Sequence, residues 1–116
     1  MEHIALELEN GSRLSFDGRL FAEAVWEDEE KATLRHHKLY VTDTNSQVYA
    51  IFKERGGRRS VYAYRLSVKE GRCAIFDGKA TCRMTMNHLL LLMKRHFGDN
   101  GAMLEQAREM LLSASC

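Results

Sequence analysis

The chain contains no proline in its 116 residues, where average usage would supply about 5%. That absence removes the strongest helix breaker and any slow prolyl isomerisation during folding. Long apolar runs are missing too: the longest, residues 89–93, falls far short of the ~20 residues needed to cross a bilayer as a helix. No charged leader followed by an apolar stretch opens the chain, because Met1, Glu2 and His3 pass directly into an alternating pattern. Cysteine is sparse. Cys73, Cys82 and Cys116 form an odd set of three without the close spacing of a metal site. These features lead to the expectation of a cytoplasmic protein in a reducing compartment, with no membrane partner.

Catalytic patterns are equally scarce. His36 and His37 are sequence neighbours, so in a strand their imidazoles point to opposite faces and do not share a metal. His88 and His96 stand eight residues apart on a helical stretch, too far to act together. No Ser or Cys has a base at a motif spacing. Gly56-Gly57 lies between two strand-like runs, whereas a phosphate loop joins a strand to a helix N-terminus. Nothing in the sequence supports an enzyme, and no cofactor or metal is expected.

What the chain does have is an ordinary globular composition, 45% hydrophobic and 28% charged, so it is expected to form a single domain over residues 1–116. Its charge is unevenly placed. Residues 1–52 carry five Lys and Arg against ten carboxylates, and residues 53–116 carry twelve against six. Such asymmetry points either to an anionic partner for the basic half or to pairing of the two halves on folding.

The first strand is expected over residues 3–9, with Ile4, Leu6 and Leu8 on one side. A three-residue turn, Glu9-Asn10-Gly11, pairs Leu6 with Leu14 and Ile4 with Phe16; a two-residue turn would split the apolar faces. Leu14, Phe16, Leu20, Ala22, Ala24 and Trp26 keep one parity, which reads as one long strand bent or bulged at Gly18. Strands over 34–42 and 47–53 are expected to flank a four-residue loop, placing Tyr40 opposite Tyr49 on a face shared with Ile51.

The stretch 48–68 is the strongest local signal. Two runs rich in Val, Ile, Tyr and Phe flank Glu54-Arg55-Gly56-Gly57-Arg58-Arg59-Ser60, and paired glycines supply the positive φ angles of a tight hairpin. Apolar matching leaves the hairpin register open. Tyr62 and Tyr64 therefore point either into a core, the reading the residue type favours, or outward beside Arg58 and Arg59. Short strands are expected over 72–76 and 79–83.

Helical spacing replaces alternation from Thr85: Met86, Leu89, Leu90, Met93 and Phe97 form one stripe, with Thr85 or Asn87 as cap and Gly98 as stop. A second helix is expected over 101–112. The predicted class is α+β, an antiparallel meander of about five to seven strands (residues 3–83) followed by two C-terminal helices, 86–97 and 101–112, packed on one face.

Two kinds of partner follow. The first expectation is a small non-enzymatic protein acting through protein–protein contact, including self-association, with Tyr40, Tyr49 and Ile51 on a docking face. The alternative is binding of RNA or single-stranded DNA through the basic hairpin 53–65. Between Lys53 and Arg95 eleven Lys and Arg stand against Glu54, Glu70 and Asp77, and aromatic rings on a sheet can stack unpaired bases. The candidate partner-binding residues are Lys53, Arg55, Arg58, Arg59, Arg65, Tyr40 and Tyr49.

Overall fold

A sheet whose strands are apolar on both sides must find cover for both, and this one does so in two different ways. The computed structural model describes residues 1–28 and 32–97. Seven antiparallel strands follow one another in simple chain order: β1 (Glu2–Glu7), β2 (Arg13–Asp28), β3 (Thr33–Thr42), β4 (Gln47–Arg55), β5 (Arg58–Lys69), β6 (Arg72–Phe76) and β7 (Thr81–Thr85). A helix, α1 (Met86–Phe97), closes the described chain. One helix, not two, is found among the described residues; the second, expected over 101–112, lies outside them.

One face is covered by curling. Leu8, Leu14 and Phe16 from the β1–β2 hairpin share a buried cluster with Tyr40, Val48, Ala50 and Ala63. In a flat sheet, β1 and β5 would stand four strand spacings, ~19 Å, apart. Instead the Glu9 amide donates to the Val61 carbonyl at 2.8 Å, and Asn10 Nδ2 donates to the Asp77 carbonyl at 2.9 Å. The sheet therefore curls until the first turn meets the free edge of β5. We call the face inside this curl the inner face.

The outer face is covered by α1. Ala22, Leu39, Tyr49, Ile51, Leu66 and Cys73 pack there with Met86, Leu89 and Met93 of the helix. The Thr85 hydroxyl accepts from the His88 amide at 3.2 Å, the N-cap bond expected from the sequence. The Met86 amide donates to the Gly71 carbonyl at 3.0 Å, which pins the helix start to the β5–β6 turn.

The expected β1–β2 turn is present. Leu6 faces Leu14, Ile4 faces Phe16, and Gly11 adopts φ +86°. Gly56 and Gly57 both take positive φ, 58° and 79°, in a two-residue turn that pairs Arg55 with Arg58. That register puts Tyr62 opposite Ile51 and Tyr64 opposite Tyr49, so both tyrosines lie on the outer face.

Two local expectations need correction. Gly18 is not the bulge of β2. Pairing runs unbroken through it and slips between Leu20 and Ala22, leaving Phe21 as the extra residue. Gly18 is required for space: a Cβ there would lie 2.8 Å from the Val41 carbonyl oxygen. The β3–β4 loop is one residue shorter than expected. Thr42 and Ser46 close a three-residue turn through the Thr42 amide and the Ser46 carbonyl, 2.9 Å, with Asn45 at φ 59°. Tyr40 then faces Val48, and Tyr49 faces Leu39, so Tyr40 and Tyr49 occupy opposite faces of the sheet.

Candidate functional site

Outer-face positions of β4 run Gln47, Tyr49, Ile51, Lys53, Arg55, and the opposed positions of β5 run Leu66, Tyr64, Tyr62, Ser60, Arg58. The chemistry changes along this ladder from apolar beside α1 to cationic at the hairpin tip. At the tip end, Arg35, Lys53, Arg55 and Arg58 line a groove of about 450 Å³ together with Glu9, Thr33, Ser60 and Tyr62. Among the described residues that line the groove, four are cationic and Glu9 supplies a carboxylate. Arg58 Nη2 donates to Glu9 Oε1 at 2.9 Å, and both side chains are solvent-exposed to a substantial degree.

Strand register sets the electrostatics of this groove. Arg35 stands directly opposite Lys53, and Arg55 directly opposite Arg58. Like charges at directly opposed positions of an antiparallel pair repel, and such pairs weaken a sheet. Two such pairs lie side by side here, with Glu9 against one of them. Tyr62 lines the groove too: half-buried against the outer core, it carries Lys53 Nζ over its ring, 5.2 Å from the centroid.

The other expected residues are distributed elsewhere. Arg59 lies on the inner face, where its guanidinium sits 4.8 Å from the Phe52 ring centroid; Lys38 Nζ approaches the same ring at 5.5 Å. Arg65 ties β5 to β2 by donating from Nη2 to the Ser15 carbonyl at 3.0 Å. Tyr40 is buried in the inner core with its ring 5.3 Å from that of Phe16. Tyr49 is buried in the outer core and shares a hydrogen bond with His37 Nδ1. His37 also packs its ring 4.4 Å from that of Trp26. Burial pushes the Tyr49 phenol far above its ordinary pKa, so the group stays protonated and acts as an internal hydrogen-bonding partner. Tyr40 and Tyr49 therefore form no common docking face.

Sequence reasoning missed Arg35 because it belongs to the acidic half of the chain. Its signal was parity: Arg35 shares a face with His37 and Leu39, and a correct β3–β4 register brings it to Lys53. Glu9 was hidden for another reason. Its place beside Arg58 depends on the curl, which joins residues 49 positions apart.

A second concavity of about 200 Å³ lies at the other end of the outer face, between α1 and β5–β7, with Tyr64, Leu66, Ile75, Met84 and Leu92 among its lining. Cys82 is exposed at β7, whereas Cys73 is buried in the outer core, and burial raises the Cys73 thiol pKa. Among the described residues, no three His, Cys, Asp or Glu side chains converge as metal ligands. No helix among them is long and apolar enough to cross a membrane. Compared with protein families, curated proteins and solved structures, the chain matches none.

Proposed function

We propose that this protein is a binding module that grips a nucleic acid by its phosphates in the groove formed by Arg35, Lys53, Arg55 and Arg58. The observation that carries this reading is the pair of directly opposed like charges, Arg35 with Lys53 and Arg55 with Arg58. Taken alone, each directly opposed like-charge pair weakens the sheet it sits in, and Glu9 offsets only part of this at Arg58. A phosphate chain brings negative charge to this groove, and its released counterions supply affinity.

The test is fluorescence anisotropy with a labelled oligonucleotide over a range of salt concentrations. Replacing Arg35, Arg55 and Arg58 together by Ala should weaken binding at least ~10-fold and flatten the salt dependence, since each phosphate contact contributes roughly 0.7 to 0.9 to the slope. The triple variant should melt no lower than the parent, because repulsion is removed. Unchanged affinity and slope would sink the reading.

A second reading, self-association, draws on the apolar concavity beside α1 and on Leu91 of the same helix, which is 54% exposed. Exposed apolar surface of this kind favours a second protein surface over water. Light scattering tests it directly: a strictly monomeric protein at high concentration would count against a dimer.

A further inference from the structure

Resting on the reading of the groove as a phosphate-gripping surface, we propose that its ligand is single-stranded and that the Tyr62 ring stacks one unpaired base. Tyr62 is placed where the two regimes of the outer face meet. Its β5 neighbours on that face are Tyr64 towards the helix and Ser60 and Arg58 towards the tip. Tyr62 packs against the outer core and also lines the basic groove.

A duplex has no use for such a ring. Its bases are stacked inside, so only its phosphates could reach the cations. An unpaired strand can turn a base inward, and every base offers a π-face to an aromatic side chain. The groove volume, about 450 Å³, falls in the ~300–1,000 Å³ range of small-molecule sites. Lys53 Nζ lies over the ring, 5.2 Å from its centroid, so an entering base takes the place of the flexible ammonium, and the Ser60 hydroxyl can donate to or accept from a base edge. One ring implies one stacked base, so the site is expected to tolerate many sequences.

The experiment compares a labelled single-stranded oligonucleotide, the same sequence as a duplex, and heparin as a base-free polyanion. The proteins are the parent, Tyr62→Leu and Tyr62→Phe, each checked for folding by thermal melting. Tyr62→Leu should reduce single-strand affinity about 5- to 150-fold, the value of losing one stacked base. Its effect on duplex and heparin binding should be several-fold smaller, limited to the lost contact of Lys53 with the ring, and Tyr62→Phe should keep the parent's single-strand affinity. The proposal is overturned if Tyr62→Leu binds the single strand as the parent does, or if single strand and duplex bind equally. Failure of all three probes to bind the parent would overturn the groove reading itself, a result distinct from the failure of stacking alone.

Discussion

The two ends of the outer sheet face share strands, register and alternation, yet differ in almost every physical respect. Beside α1, Tyr49, Ile51 and Leu66 are exposed by 3%, 1% and 2%, and the concavity there is apolar. Four residues from Tyr49 along β4, the same face carries Lys53 and then Arg55, and the concavity is cationic. The helix marks the division: strands under it carry packing residues, and strands beyond it carry charge. Burial holds the first end together. At the second, register opposes like charges and the Glu9–Arg58 ion pair offsets part of their repulsion.

The comparison can be broken or sharpened by substitution. The largest effect is expected from Leu66→Ala at the packed end, which should lower stability by about 2–5 kcal/mol by opening a cavity in the outer core. Urea denaturation measures the loss, and the salt slope of nucleic-acid binding should be unaffected where the variant is folded. A flattened slope would show that the two ends are not independent. Tyr49→Phe removes the hydroxyl from the bond to buried His37 and should cost about 1–3 kcal/mol. A loss below ~0.5 kcal/mol in the same denaturation experiment would show that His37 does not depend on that hydroxyl. The smallest effect belongs to Glu9→Gln at the basic end. Exposed ion pairs are worth ~0–1 kcal/mol, so stability should barely move, while nucleic-acid affinity rises by up to about 5-fold as Arg58 is released. Weaker binding would show that Glu9 orients Arg58 for the ligand.

Much of the fold was legible because local rules decide it. The Glu9-Asn10-Gly11 turn followed from keeping Leu6 with Leu14 and Ile4 with Phe16, and α1 from its stripe and Thr85 cap. The β3–β4 register was not legible. Leu39, Tyr40 and Val41 are apolar in succession, and with both faces of the sheet covered, a slip of one residue leaves the apolar pattern intact. The decision fell to Asn45, whose left-handed conformation shortens the loop. The groove was half legible. Lys53, Arg55 and Arg58 were visible as a charged hairpin, but Arg35 needed the register and Glu9 needed the curl. Tyr62 presented a choice between core and site; at the boundary of the two it belongs to both.

The extra residue in β2 has a consequence of its own. Pairing steps from Leu20 opposite Tyr40 to Ala22 opposite Leu39, so Phe21 shifts the strand's reading frame by one. Leu14 and Phe16 before the shift serve the inner core, and Ala22 after it serves the outer, although all three are even-numbered. A strand of strict alternation could send its even positions to one side only. With a single inserted residue, β2 becomes a strap threaded through the sheet, fastening at one end the core that the curl encloses and at the other the core that the helix covers.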